Sequence, residues 1–91
     1  MKISILTPTY NRANLLKNLY ISLIENSKYD GDIEWLIMDD GSTDNTQEVI
    51  KEFIKENKID IKYYIQENQG KMKAINNLIQ YVTGDFIIDC D

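Results

Sequence analysis

Asp39 and Asp40 stand side by side at the end of an apolar run, in the stretch EWLIMDDGSTDNT (34–46). One carboxylate is enough to cap a following helix or turn. A second suggests that a ligand is held there. Carboxylates suit two tasks: accepting from ribose hydroxyls or the N–H of a base, and ligating Mg²⁺ or Mn²⁺, hard ions that prefer oxygen and bridge to phosphates. Three other stretches carry comparable polar sets: TPTYNR (7–12), QENQGK (66–71) and DCD (89–91).

Other chemistries are excluded by what the chain lacks. It contains no histidine, so no Ser-His-Asp or Cys-His arrangement forms within it. It contains one cysteine, Cys90, so neither an intrachain disulfide nor a multi-cysteine zinc site is available. Cys90 lies in an apolar run and reads as a small core residue. The dinucleotide-binding Gly-x-Gly-x-x-Gly is absent. The phosphate-loop lysine motif is absent too, because Gly70-Lys71 is followed by Met72.

The elements that must position these residues follow from hydrophobic periodicity. Ninety-one residues, 43% hydrophobic and 27% charged, make at most one globular domain. Strands are predicted over 2–7, 33–38, 59–65 and 85–90. Helices are predicted over 12–26, with Leu15, Leu16, Leu19, Leu23 and Ile24 inward; over 44–57, with Val49, Ile50, Phe53 and Ile54 inward; and over 70–82, with Ala74, Ile75, Leu78 and Ile79 inward. Thr43 or Asp44 is the expected N-cap of the second helix. Residues 28–32, centred on Gly31, read as a turn.

Strands alternating with helices of this length imply parallel pairing and right-handed crossovers, an α/β fold with helices on both faces and strand order 3-2-1-4. In such sheets, ligands bind beyond the carboxyl ends of the strands. All four polar stretches fall at those ends. The net charge of −5 argues against nucleic acid as a partner but not against a phosphorylated ligand bridged by a cation. No apolar run reaches the ~20 residues of a membrane span. The N-terminus lacks the pattern of a signal peptide, so a cytosolic location is expected. The last strand runs to the end of the sequence, as expected of the front part of a longer protein.

The stretches ISILTPTYNR, LIMDDGSTDNT, ENQGK and GDFIIDCD together resemble, in order and spacing, the N-terminal half of inverting family-2 glycosyltransferases of the GT-A fold, a Rossmann-like nucleotide-diphospho-sugar transferase fold. The resemblance spans essentially residues 1–91, the nucleotide-sugar-binding part, cut at the D-x-D motif. It implies a nucleotide-sugar donor, with a UDP-sugar favoured. Thr7, Pro8, Thr9, Tyr10, Asn11 and Arg12 would wrap the nucleotide, Asp40 would contact base or ribose beside Asp39, and Gly70 and Lys71 would lie near the donor. The D-x-D motif would ligate Mn²⁺ or Mg²⁺. Counting from Gly84, Asp85 and Phe86 places its first acid at Asp91, and the literal DCD of Asp89 and Asp91 is the competing assignment. The resemblance also implies a sugar or lipid-linked glycan acceptor bound by a C-terminal part that carries the catalytic base. It is compatible with attachment of the longer protein to the inner face of the membrane. Ile75 and Leu78 depart from the arginine and glycine common in the family's third helix.

Simpler roles stand beside these. Asp39 can accept local backbone N–H groups, Asp44 can cap the second helix, and Asn11 can cap the first. Thr7 and Pro8 can merely end a strand. Asp89 can be a structural acid, Lys71 a solvated lysine, and Tyr63 and Tyr64 strand packing. Two other functions compete: a non-catalytic nucleotide-binding module, and a haloacid-dehalogenase-type phosphohydrolase. The latter lacks the required acid two residues before Asp40.

Overall fold

The computed structural model describes residues 1–25 and 32–90. Seven elements alternate: β1 (Lys2–Thr9), α1 (Ala13–Glu25), β2 (Asp32–Asp39), α2 (Thr46–Glu56), β3 (Asp60–Ile65), α3 (Lys71–Ile79) and β4 (Phe86–Asp89). They form one sheet ordered β3-β2-β1-β4. All three pairings are parallel, with Thr9 opposite Asp39 and Asp39 opposite Ile65. The parallel α/β arrangement and strand order are those expected. The turn expected over 28–32 lies almost wholly outside the described residues.

Alternation along the strands sends successive side chains to opposite faces. Ile5, Trp35 and Ile37 meet Ala13, Leu16 and Tyr20 of α1 and Val49, Ile50 and Phe53 of α2. Leu6, Leu36 and Met38 meet Ala74 and Leu78 of α3 on the other face. The ring of Tyr20 stacks on Phe53 at 3.9 Å, and Trp35 lies at 6.2 Å from Phe53. Full burial of each large apolar side chain is worth roughly 1.5–3 kcal/mol.

Several details differ from expectation. Leu15, Ile54 and Ile79 are exposed, not inward. Each helix presents only a narrow stripe to the sheet, and these three lie one residue beside it. β1 continues through Pro8 and Thr9, while α3 ends at Ile79. Asn45, not Thr43 or Asp44, occupies the N-cap of α2 and makes no side-chain cap bond. Asp44 supplies the acceptor instead, taking both the backbone N–H (3.0 Å) and the hydroxyl of Thr46. The apolar strand β4 is exposed throughout. Among the described residues it pairs only with β1 and no helix packs on it. Cys90, next along, is half-buried against the α1–α2 side of the core.

Candidate functional site

The carboxyl ends of β1, β2 and β3 meet at one edge of the sheet, and three loops cross there. The backbone N–H of Asp40 donates to the carbonyl of Thr9 at 2.8 Å, and that of Gln66 to Asp39 at 2.9 Å. These bonds carry the parallel register one step past the strands and set the loops side by side.

The two adjacent acids divide the work between them. Asp39 is buried; its Oδ1 accepts the Ser42 N–H at 2.7 Å and its Oδ2 accepts the Tyr63 hydroxyl at 2.6 Å. It closes its own turn and ties that turn to β3. Asp40, also buried, reaches the loop between β3 and α3. Its Oδ1 accepts from Gln66 Nε2 (2.8 Å) and Gln69 N (2.7 Å), and its Oδ2 from Gly70 N (3.0 Å). Burial opposes ionisation of Asp40, yet these three bonds outweigh it and hold its carboxyl below the ordinary value. Gly70 has φ 95° and ψ 164°, a backbone shape open essentially to glycine alone, and this turns its N–H toward Asp40.

Asn11 joins the first loop to the second. Its own N–H donates to Ser42 Oγ at 2.9 Å, and its Oδ1 accepts from Thr43 N and Asp44 N. It caps no helix; it fastens TPTYNR to DDGSTD. Thr7 is inside the fold: its hydroxyl donates to the Cys90 carbonyl (2.6 Å) and accepts from the Trp35 indole N–H (2.9 Å).

Six of the residues singled out from the sequence, Pro8, Thr9, Tyr10, Arg12, Asp40 and Lys71, line a cleft of about 210 Å³. A second cleft adjoins it, sharing Pro8, Thr9 and Arg12 and bordered by Leu15 and Leu19. Among the described residues the Arg12 guanidinium has no ion-pair partner. Among the described residues the buried Thr9 hydroxyl has no hydrogen-bond partner. Lys71 opens α3 at the cleft rim, and Gly70 contributes its backbone rather than lining the cleft.

Of the acids expected to hold a metal, Asp89 ends β4 at this same edge, and Asp91 lies outside the described residues. Among the described residues no three acids, histidines or cysteines gather as a metal site. The bonds Cys90 N to Leu6 O (2.9 Å) and Thr7 Oγ1 to Cys90 O nonetheless draw the end of β4 toward the carboxyl end of β1.

Sequence reasoning did not single out Gln66, Gln69, Ser42 or Asn77, whose contacts depend on how the loops fold. It also passed over Glu34, which its place inside the apolar run of the predicted strand 33–38 could have flagged. Glu34 is wholly buried toward the opposite end of β2. It accepts from Ser4, from Lys62 Nζ (2.6 Å) and from the N–H and hydroxyl of Thr83.

A parallel sheet with its polar loops gathered around a cleft at the carboxyl edge is an α/β arrangement of the Rossmann-like type, in which ligands bind at that edge. The chain matches Glycosyl transferase family 2 over residues 4–91, and it belongs to that family. It is 39% identical over 77 residues to an uncharacterised glycosyltransferase of Mycoplasma genitalium, covering 84% of this chain and 26% of that protein. Among solved structures, TarS (residues 1–349) of Staphylococcus aureus in complex with UDP superposes with a TM-score of 0.88 at 29% identity, over 100% of this chain and 27% of that one. A mannosyltransferase of Pyrobaculum calidifontis in complex with GDP-Man and Mn²⁺ superposes with a TM-score of 0.83 at 25% identity, over 93% and 25% respectively. The chain thus spans about a quarter of the length of these relatives. Family membership sets aside the dehalogenase alternative, and both oxygens of Asp39 are engaged in structural bonds.

Proposed function

We propose that these residues form the donor-binding part of a glycosyltransferase that moves a sugar from a nucleoside diphosphate sugar to an acceptor hydroxyl with inversion. The observation that carries this reading is the convergence of Thr9, Tyr10, Arg12, Asp40 and Lys71 on one cleft. Tyr10, exposed at the cleft, offers a face on which a base can stack. Asp40 offers an acceptor for a base or ribose donor. Arg12 and Lys71 supply positive charge for a diphosphate, Arg12 with a planar fork that matches phosphate oxygens. Ligands of relatives support the choice: UDP in one neighbour, GDP-Man and Mn²⁺ in another.

In this reading Asp91, with Asp89 two positions before it in sequence, would hold Mn²⁺ or Mg²⁺. When bound, such an ion offsets the charge of the departing diphosphate. The base that activates the acceptor, and the surface that binds an acceptor sugar or lipid-linked glycan, belong to protein outside these 91 residues. On that view the isolated 91 residues bind a donor but transfer no sugar, and the longer protein works in the cytoplasm, peripheral to the inner face of the membrane.

Titration with nucleoside diphosphates, followed by amide NMR, tests the donor site. The amides of Tyr10 and Asp40 should shift first, with affinity in the millimolar range or better, about −4 kcal/mol at 1 mM. Shifts confined to α3 away from Lys71, or none at high ligand concentration, would reject it.

A further inference from the structure

We propose that the groove along the outer edge of β3 is a glycan-binding site, which takes a neutral pyranose oligosaccharide on an aromatic face and a set of carboxamides, apart from the nucleotide cleft.

Among the described residues β3 is an edge strand, paired with β2 alone. A groove of about 650 Å³ runs at its end, lined also by α2 and by α3 with the turn after it. That volume lies within the roughly 300–1,000 Å³ of small-molecule sites. No residue lines both this groove and the cleft of Asp40.

The lining selects a class of ligand. The chain has fifteen acidic residues, yet none lines the groove, and its one charged residue is Lys51. Carboxamides stand there instead, Gln47 on α2 and Asn77 and Gln80 at the end of α3. A carboxamide both donates and accepts, as a sugar hydroxyl does. Asn77 Nδ2 donates to Gln66 Oε1 at 2.6 Å, and Gln80 Nε2 to the Asn77 carbonyl at 3.0 Å. These bonds orient two of the amides, and among the described residues no hydrogen bond engages their side-chain oxygens.

The aromatic part is a stacked pair. The rings of Tyr64 and Tyr81 lie 4.2 Å apart and 11° from parallel. Tyr64 is half-buried and Tyr81 remains 40% exposed, so the pair offers an open ring face. The C–H groups of a pyranose carry slight positive charge and pack on the negative face of such a ring. A diphosphate would meet a single lysine here, and a purely apolar ligand would leave the carboxamides unpaired. A neutral polyhydroxylated ring satisfies both kinds of group.

Amide NMR titration of the protein with cellotriose and with chitotriose tests this, using wild type, Tyr81→Ala, Tyr81→Phe and Gln80→Ala. The amides of Asn77, Gln80 and Tyr81 should shift with at least one of the two sugars, with a Kd on the order of 1–10 mM. Tyr81→Ala should weaken binding about five- to tenfold, while Tyr81→Phe, which keeps the ring face, should stay within about twofold of wild type. Gln80→Ala should weaken it about threefold. Should Tyr81→Ala fail to fold, Gln80→Ala decides. No shift in the groove with either sugar at tens of millimolar overturns the inference. Shifts confined to Tyr10 and Asp40 overturn it too, because they place the sugar in the cleft. Binding unchanged in the folded Tyr81→Ala and Gln80→Ala variants does the same. None of these outcomes bears on the nucleotide titration, which uses a different ligand and reads different amides.

Discussion

The side-chain oxygen of Asn11 accepts the backbone N–H of Thr43 at 2.7 Å, across 32 residues of sequence. The same oxygen takes the N–H of Asp44, and the Asn11 N–H donates to Ser42. The loop after β1 and the loop after β2 are therefore one unit. Asn11 also stands at φ 51°, in the left-handed region, where asparagine is tolerated better than most residues. The first motif thus shapes the second before any ligand arrives.

Asn11→Ala should lose the loop bonds and strain the backbone, destabilising the chain by about 1–3 kcal/mol. Asn11→Gly removes the same side-chain bonds but suits the backbone angle. It should fall between wild type and alanine in urea denaturation. Equal midpoints for glycine and alanine would show that the backbone angle contributes nothing.

Asp40→Asn should free the loop between β3 and α3. The amide places an N–H group where an oxygen now accepts, so at least one of Gln66, Gln69 and Gly70 loses its partner. Hydrogen exchange at the Gln69 and Gly70 amides should quicken, with a stability loss of about 1–3 kcal/mol. Because the folded carboxyl titrates below its ordinary value of 3.8, its contribution is fully present above that pH and fades as pH falls further. Unchanged exchange at both amides would contradict the described geometry.

The strand order was readable because two simple regularities produce it: apolar alternation marks the strands, and parallel crossovers are right-handed. Helix faces were less readable. Leu15, Ile54 and Ile79 fit an apolar stripe on paper but lie at its edge, where a small shift in helix rotation decides exposure. The cleft residues of the first two loops were visible as types at strand ends. Their division of labour was not. That Asp39 serves Ser42 and Tyr63 while Asp40 serves Gln66, Gln69 and Gly70 depends on loop backbone angles such as that of Gly70, which no periodicity encodes.

The chain of bonds from Trp35 through Thr7 to Cys90 makes a second stability test. Thr7→Val keeps the shape but leaves the Trp35 indole N–H and the Cys90 carbonyl without the hydroxyl between them. A loss of about 2–3 kcal/mol is expected. Thr7→Ser keeps the hydroxyl and should stay nearer wild type. Valine matching serine in denaturant midpoint would mean that the hydroxyl is dispensable to the fold.

Glu34 makes the fold sensitive to acid. Burial works against its charged form, but the bonds from Lys62, Ser4 and Thr83 outweigh that and hold its carboxyl at about 2 rather than 4.5. A folded-state value below the unfolded one means stability that is fully present above about 4.5 and is lost as pH falls toward 2. Each unit of depression corresponds to about 1.4 kcal/mol. Glu34→Gln keeps the shape and removes the charge facing Lys62 and Lys2, so it should cost about 2–4 kcal/mol at neutral pH. Gly84 bears on the same cluster: its N–H donates to Ser4 Oγ at 3.0 Å, and an added Cβ would clash with that oxygen. Gly84→Ala should therefore disturb Ser4 and its bond to Glu34 without touching the acid. Urea midpoints measured from pH 7 down to pH 3 separate the cases. The gap between wild type and Glu34→Gln should shrink below about pH 4.5, because protonation does to the wild type what the substitution has already done. A gap that stays constant across that range would show that Glu34 contributes by packing and neutral hydrogen bonds, not by its charge.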